Sequence, residues 1–199
     1  MILKNYYYFY KKAVPTHKCD EIIKFAKNFK LEQGSIDRRV YKNESNKLKK
    51  IIKKRRNSKV KFINPQWLYE LLHPFVQHAN EKSNWNFQWD WSEDCQFTIY
   101  KKNEYYDWHA DSFYTPNVNG RIRKLSMTLN LSDSKDYEGG NLEFDIPNVP
   151  TNRKIDTCTQ IRDKGSLVVF PSFLQHRVTP VTKGTRYSLV MWSLGQPFK

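Results

Sequence analysis

The stretch from residue 105 to 114, "YYDWHADSFY", places His109 and Asp111 two residues apart in a strongly aromatic segment. Alternate residues of an extended strand point to the same face of a sheet, so both side chains can reach one small ion. A His-x-Asp pair also arises by chance in roughly one protein in four of ordinary composition. The rest of the chain therefore has to supply further ligands before the pair indicates a metal site.

The candidate third ligand is His176, in the segment "FPSFLQHRVTPV". Two imidazoles and one carboxylate on one face of an octahedral metal leave three positions open, which is typical of non-haem Fe(II) oxygen chemistry. A plain core or surface histidine is the alternative for His176 taken alone. Calcium is disfavoured because the set has too few oxygens, and structural zinc because no cysteine is suitably placed.

A carboxylate-binding pair follows His176 ten residues later, in "TRYSL", residues 185–189. Arg186 and Ser188 alternate on one strand, so they share a face. The planar fork of an arginine matches a carboxylate, and a serine adds a hydroxyl donor. The pattern predicts a clamp for the distal carboxylate of a dicarboxylate that chelates iron at its other end. An ion pair on an edge strand is the alternative.

The net charge of +14 lies entirely in the N-terminal third. Residues 1–61 hold 19 Lys and Arg against 5 Asp and Glu, whereas residues 62–199 hold 15 of each sign. The basic residues are densest in "NKLKKIIKKRRNSKVK", residues 46–61. This stretch indicates either a patch for nucleic acid or an acidic partner, or a solvated arm or helix face, and the second reading is favoured.

Two helices are predicted before residue 86. Residues 16–29 show apolar residues near helical spacing, with Thr16 or Asp20 as the cap. The second helix begins near Asn64 as its cap with Pro65 in the first helical position, and Pro74 inside it predicts a kink or a break. Its predicted buried stripe consists of Trp67, Leu68, Leu71, Leu72, Phe75 and Val76.

From about residue 86 the hydrophobic period changes to two, which indicates about eight short strands. "DYEGG" (136–140) is predicted to be a turn, and "TKG" (182–184) the turn of a hairpin. We predict a mainly β (α+β) protein with a jelly-roll, or double-stranded β-helix, core and the N-terminal helices packed on one face.

The whole chain, residues 1–199, is predicted to be one domain. Within it we expect a basic N-terminal elaboration with a helix (1–61), helical support (62–85) and a jelly-roll core (86–199). Three widely spaced cysteines fit a reducing compartment. The N-terminus lacks a signal-peptide core, and no apolar run is long enough to span a membrane. We therefore expect a cytoplasmic protein without a membrane partner.

The combined set resembles the Fe(II)/2-oxoglutarate-dependent dioxygenases, and most closely their prolyl 4-hydroxylase-like subgroup. The resemblance runs from about residue 55 to 196 and includes "RRNSKV", "QFTIYKKNEYYDWHAD", "LSMTLNLSD", "YEGGNLEF" and "GSLVVFPSFLQHRVTPVTKGTRYSLVMW". It implies Fe(II), 2-oxoglutarate and O2 as cofactors, with ascorbate considered as an addition. The implied reaction hydroxylates a C–H bond while 2-oxoglutarate is decarboxylated to succinate and CO2.

The resemblance also implies roles for single residues. Tyr100 matches a tyrosine whose hydroxyl reaches 2-oxoglutarate, and Asn130 matches a strand position in the same pocket that is often tyrosine in relatives. Leu142 and Trp192 match apolar walls of that pocket. Asp111 favours hydroxylation, because family halogenases lack this carboxylate.

Tyr106 and Trp108 are expected at the mouth of the site as substrate contacts, with ordinary aromatic packing as the alternative. The expected substrate is a prolyl residue of a peptide or protein. Alternatives are oxidative demethylation of nucleic acid through residues 46–61, hydroxylation of a free amino acid or other small molecule, and a catalytically silent binding domain. Nucleic-acid demethylation is disfavoured because Trp192 stands where such relatives carry a second arginine.

Overall fold

The protein was analysed as a computed structural model, which describes residues 3–34, 53–112, 115–146 and 154–198. The described residues contain two long helices, α1 (Thr16–Ala26) and α2 (Gln66–Lys82). A short 3-10 helix follows at Thr159–Ile161. Neither long helix is apolar enough over a sufficient length to cross a membrane.

The predicted helix caps are wrong. Each helix is preceded by a proline, Pro15 or Pro65, in an extended conformation, and neither start has a side-chain cap hydrogen bond. Asn64 instead donates its side-chain amide to Asp94. A proline at this position fixes an extended backbone immediately before the first turn, so it begins the helix without needing a polar cap.

Helix α2 continues through Pro74, so the predicted break does not occur. Proline inside a helix costs about 3 kcal/mol because it removes a backbone hydrogen bond. Leu72 and Val76, on either side of Pro74, are both fully buried. Burying such side chains stabilises by about 1.5–3 kcal/mol each, which is enough to hold the helix together across the proline.

Fifteen short strands occur in the described part of the chain. They are β1 (Tyr8–Tyr10), β2 (Glu32–Gln33), β3 (Arg56–Asn57), β4 (Lys59–Ile63), β5 (Trp91–Ser92), β6 (Cys95–Tyr100), β7 (Tyr105–His109), β8 (Ile122–Asn130), β9 (Tyr137–Gly139), β10 (Leu142–Ile146), β11 (Lys154–Thr157), β12 (Leu167–Pro171), β13 (His176–Val178), β14 (Val181–Gly184) and β15 (Arg186–Gly195).

These strands form the two facing sheets of a jelly roll, as predicted. The major sheet has the order β1-β12-β8-β15-β6-β4-β2, with β5 beside β15. The minor sheet has the order β11-β10-β13-β7-β3, and β14 pairs with β9 separately. All pairings between these strands are antiparallel.

Strand alternation gives the major sheet two chemically different faces. Leu129 of β8 and Leu189 of β15 are register partners and join the core cluster that includes Leu68 and Leu72 of α2. On the opposite face the buried residues are mostly polar. That row comprises Tyr100 beside Arg186, Thr98 beside Ser188 beside Asn130, and Trp192 beside Ser126. The helices therefore cover the apolar face, and the polar face lies inside the jelly roll.

The N-terminal third contributes to both sheets. β1 pairs with β12 and β4 pairs with β6 in the major sheet, and β3 pairs with β7 in the minor sheet. Of the basic stretch 46–61, residues 46–52 lie outside the described residues. The remainder is partly built into the fold: Arg56 is buried, and Lys61 donates to the carbonyl of Ala26 at the end of α1. A wholly solvated arm is therefore wrong for this part of the stretch.

The two predicted turns are wrong as well. Residues from both segments form strands β9 and β14, which pair with each other instead of reversing the chain locally. Gly184 has a φ of +73°, and a Cβ there would lie 2.0 Å from the carbonyl oxygen of Asp136. Glycine permits close backbone approach as readily as a turn, so the sequence pattern alone does not separate the two.

We expect Gly165→Ala to destabilise the fold by about 1–3 kcal/mol. Gly165 has a φ of +80°, and an added Cβ would meet the carbonyl oxygen of Val14 at 2.1 Å. Gly120→Ala is the matched control, since Gly120 has a φ of +71° but no atom within 4 Å of the added Cβ. Urea denaturation should show a clearly smaller loss for the control; equal losses would mean that the contact with Val14 is unimportant.

Candidate metal centre and co-substrate site

Two neighbouring, hydrogen-bonded strands of the minor sheet bring the three predicted ligands together. His109, the last residue of β7, is the direct register partner of His176, the first residue of β13. Asp111 lies two residues beyond His109, where its backbone N–H donates to the carbonyl of Ser172 at 2.8 Å. The ligand atoms of the three side chains all lie within 4.8 Å of one another. The pairing of β7 with β13 therefore brings together two histidines that are 67 residues apart in the sequence.

Hydrogen bonds fix which nitrogen of each histidine faces the cluster. Nδ1 of His109 lies 2.8 Å from the carbonyl oxygen of Asp107, and Nδ1 of His176 lies 2.9 Å from that of Leu174. A carbonyl oxygen only accepts, so in each bond Nδ1 carries the hydrogen. Nε2 of each ring is the nitrogen that faces Asp111, at 3.6 Å for His109 and 3.5 Å for His176 from its carboxylate oxygens.

Asp111 is held in place from behind by two serines. The hydroxyl of Ser126 donates to Oδ2 of Asp111 at 2.7 Å, and it lies 2.9 Å from the hydroxyl of Ser172. Arg123 additionally donates to the backbone oxygen of Asp111 at 3.4 Å. These contacts orient the carboxylate in the way that outer-shell partners orient a metal ligand.

The electrostatics of the cluster keep its ligands ready for a cation. Burial is the largest cause that lowers the pKa of His109, to about 3, with His176 adding to it and Asp111 opposing it. For Asp111, burial acts to raise the pKa, but the two histidines, Arg123 and Ser126 outweigh it and the pKa falls to about 2. At neutral pH His109 is therefore a neutral imidazole and Asp111 an anion, which are the forms that bind a metal.

Arg186 and Ser188 lie on the polar inner face of the major sheet. Both are buried, and Arg186 donates weakly to the hydroxyl of Ser188 at 3.5 Å. The guanidinium lies 5.7 Å from the ring centroid of Tyr100, its register partner. Gly140 makes room for this arginine, because a Cβ there would lie 3.0 Å from its Cδ atom. A buried arginine without a carboxylate partner among these contacts suits an anionic ligand.

The remaining predicted pocket residues differ in what they offer. Leu142 and Trp192 are buried, and Trp192 lies under the guanidinium of Arg123 at 3.8 Å. Asn130 donates both amide hydrogens, to the carbonyls of Ser132 and Arg162. Both hydrogens of the Asn130 amide are therefore used, and its side-chain oxygen has no hydrogen-bond partner among the residues that the structure describes. Its contact with a co-substrate stays a prediction.

The two predicted substrate contacts lie on different sides of the minor sheet. Between the pairs His176–His109 and Val178–Tyr106, β13 advances two residues and β7 advances three. This bulge puts Tyr106 on the same side as His109, and their rings stack at 3.5 Å and 11°. Trp108 instead contacts Arg177 at 4.7 Å, which alternates away from His176. The structure thus brings Tyr106 to the cluster and places Trp108 elsewhere.

Sequence reasoning missed the residues that support the ligands. Ser126, Ser172 and Arg123 carry no motif of their own, because serines and a basic residue in a strand or loop are common. The only usable signal was alternation: Ser126 shares the inner face of β8 with Thr128 and Asn130, at positions where an apolar residue would be expected in a core.

The family model of the 2OG-Fe(II) oxygenase superfamily matches residues 95–194 of this chain. These residues include all three candidate metal ligands together with Arg186 and Ser188. The chain belongs to the 2OG-Fe(II) oxygenase superfamily.

Curated relatives share part of this region. The PKHD-type hydroxylases YbiX of Escherichia coli K12 and Shigella sonnei are each 41% identical to this chain over 101 residues. The match covers 48% of this chain and 40% of each relative. The chain therefore spans well under half the length of the curated relatives that it matches.

Solved structures share the fold over almost the whole chain. A prolyl-4-hydroxylase of Pseudomonas putida matches with a TM-score of 0.66 and 19% identity, covering 98% of this chain and 95% of that one. A viral collagen prolyl hydroxylase of Paramecium Bursaria Chlorella virus-1, in a 2OG complex, gives 0.65 and 18%, covering 96% and 97%. A Trichoplax adhaerens prolyl hydroxylase in complex with a hypoxia inducible factor peptide gives 0.68 and 19%, covering 96% and 84%.

We expect Ser126→Ala to weaken metal binding by about tenfold, because Asp111 loses the hydroxyl that orients it. Ser166→Ala is the matched control: Ser166 is also fully buried and accepts one hydrogen bond, but from the backbone of Lys12. Calorimetric titration with Mn(II) would measure both. Equal affinities for the two variants would contradict the supporting role of Ser126.

Proposed function

We propose that this protein is an Fe(II)- and 2-oxoglutarate-dependent hydroxylase, and that its substrate is a prolyl residue in a peptide. The observation that carries the proposal is the convergence of His109, Asp111 and His176 on one point, with both Nδ1 atoms already hydrogen-bonded. The remaining Nε2 atoms and the carboxylate of Asp111 lie close enough together to bind one cation.

The donor set fits Fe(II). Two neutral imidazole nitrogens and one carboxylate form a facial set that leaves positions open for other ligands. The residues proposed to hold the metal are His109, Asp111 and His176. Burial matters here, because a carboxylate with two nearby imidazoles in a low-dielectric site attracts a divalent ion more strongly than it would in water.

The inner face of the major sheet fits 2-oxoglutarate. Arg186 is proposed to bind the distal carboxylate through its fork, with Ser188 and the hydroxyl of Tyr100 as further donors. Leu142 and Trp192 would form apolar walls around the carbon chain, and Asn130 would lie beside it. Burial raises the pKa of Tyr100, so its hydroxyl stays protonated and can donate.

When bound, Fe(II) with 2-oxoglutarate and O2 supplies the oxidative chemistry that hydroxylates a C–H bond and yields succinate and CO2. The chain's own residues orient the reactants and exclude water. Nδ1–H of each histidine donates to a backbone carbonyl, which fixes the ring and leaves Nε2 as the nitrogen that would bind the metal. Phe170 and Phe144 pack against His176 and shelter its side of the centre.

The proposal of a peptide substrate is supported by the solved structures that share this fold. All three of these proteins are prolyl hydroxylases, and the third is bound to a peptide fragment. At this identity they share the fold with the chain, so a prolyl peptide is proposed as the first class to screen. Tyr106 is the proposed aromatic contact beside the metal centre, and residues 86–199 are the proposed catalytic core of a single domain.

The test is succinate release from 2-oxoglutarate by the full chain, loaded anaerobically with Fe(II) and then exposed to O2. Samples with and without proline-containing peptides, and with and without ascorbate, would run together. We expect peptide-stimulated, iron-dependent succinate release and a peptide heavier by one oxygen atom.

Arg186→Lys should raise the KM for 2-oxoglutarate about tenfold or more, because lysine keeps the charge but loses the planar fork of donors.

Two results would contradict the proposal at different levels. If the His176→Ala variant still released succinate and still bound 2-oxoglutarate, the assignment of the metal site would be wrong. If succinate release depended on iron but no peptide was oxidised, the assignment as an oxygenase would stand and the proposed prolyl substrate would be wrong. In that case free amino acids and nucleic acid would be screened with the same succinate readout.

A further inference from the structure

Three flat side chains are stacked in series beside the metal centre. The guanidinium of Arg56 lies 4.4 Å from the ring centroid of Tyr106. The ring of Tyr106 in turn lies 3.5 Å from that of His109, centroid to centroid, and only 11° from parallel. Arg56 and Tyr106 are register partners on β3 and β7, so the sheet itself holds the first two layers together.

His109 needs such support more than His176 does. The ring of His176 lies between Phe144 and Phe170, in the core between the two sheets. His109 is the last residue of β7, and the outer neighbour of β7 is β3, a two-residue strand at the edge of the minor sheet that pairs only with the start of β7. Its bond to the carbonyl of Asp107 fixes one direction of the ring, and the flat contact with Tyr106 fixes its tilt.

Arg56 is itself held rigidly. It is 4% exposed, and its Nε–H donates to the hydroxyl of Ser58 at 2.9 Å. Gly34 packs directly over this pair: an added Cβ would lie 2.4 Å from the Ser58 oxygen and 2.6 Å from Arg56 Nε. The backbone N–H of Gly34 also donates to the carbonyl of Ser58. The stack therefore has a fixed outer end.

We propose that Arg56 is a positioning residue for the metal centre, which sets the tilt of the His109 imidazole through the ring of Tyr106. The inference rests on the proposed function, since the tilt of His109 matters because the residue is a metal ligand. It assigns a role to the "RRNSKV" segment, which the direct metal and co-substrate contacts leave without one. A guanidinium over an aromatic face is an attractive contact that lysine reproduces only in part.

The test is a titration of the metal-free full chain with Co(II), followed by its ligand-field absorption, which reports both affinity and ligand geometry. We expect Arg56→Gln and Tyr106→Leu to bind Co(II) about tenfold more weakly, with a changed spectrum. Tyr106→Phe keeps the ring and should bind as the wild type does. Arg56→Lys should recover part of the loss.

Arg177→Gln is the matched control, because Arg177 of β13 makes a similar stack with Trp108 of β7 on the opposite face of the minor sheet. It should leave Co(II) affinity and spectrum unchanged. Gly34→Ala changes none of the three stacked residues but crowds Arg56. It should therefore weaken Co(II) binding without altering a metal ligand. Circular dichroism of each metal-free variant would show that it is folded.

Unchanged affinity and spectrum in a folded Arg56→Gln variant would overturn the inference, even if its melting temperature fell. Should Arg56→Gln fail to fold, the comparison of Tyr106→Leu with Tyr106→Phe decides, since both retain Arg56. Failure of the wild-type chain to bind Co(II) would instead contradict the proposed function.

Discussion

The antiparallel pairing of β7 with β13 is the contact on which the rest of the site depends. It sets His109 directly opposite His176, and the bulge within it turns Tyr106 towards His109. A shift of one residue in this register would send one histidine to the other face of the minor sheet, where Trp108 and Arg177 lie. The site is therefore specified by strand register more than by any single side-chain contact.

The fold then divides the two tasks of the site between its two sheets. The minor sheet supplies the two imidazoles, while the polar inner face of the major sheet supplies Arg186 and Ser188. Ser126, on that same inner face, reaches across to Asp111 and so connects the two. Because the opposite face of the major sheet is packed against α1 and α2, the polar residues are held on a rigid support.

Much of this arrangement could be predicted from the sequence, because it follows from local periodicity. The alternation of Arg186 with Ser188, the His-x-Asp pair and the buried stripe of α2 all depend on residues within a few positions of one another. The jelly roll followed from the change of hydrophobic period near residue 86 together with the family resemblance.

What could not be predicted depends on contacts between distant residues or on ambiguous glycines. "DYEGG" and "TKG" read as turns because glycine serves a turn and a close strand crossing equally well. Pro74 predicted a kink or a break because the local pattern does not show how strongly the packing of Leu72 and Val76 stabilises the continuous helix α2. The support of Asp111 by Ser126, and of Tyr106 by Arg56, joins residues 15 and 50 positions apart. Neither has a sequence pattern that separates it from ordinary polar residues.

The most direct test of the account is an anaerobic crystal structure of the full chain with Mn(II) and 2-oxoglutarate, using the anomalous signal of the metal. The account predicts one metal peak bonded to Nε2 of His109, Nε2 of His176 and a carboxylate oxygen of Asp111, with the distal carboxylate of 2-oxoglutarate on Arg186. A metal bound elsewhere, or through Nδ1 of either histidine, would contradict the central claim that the strand register builds this centre.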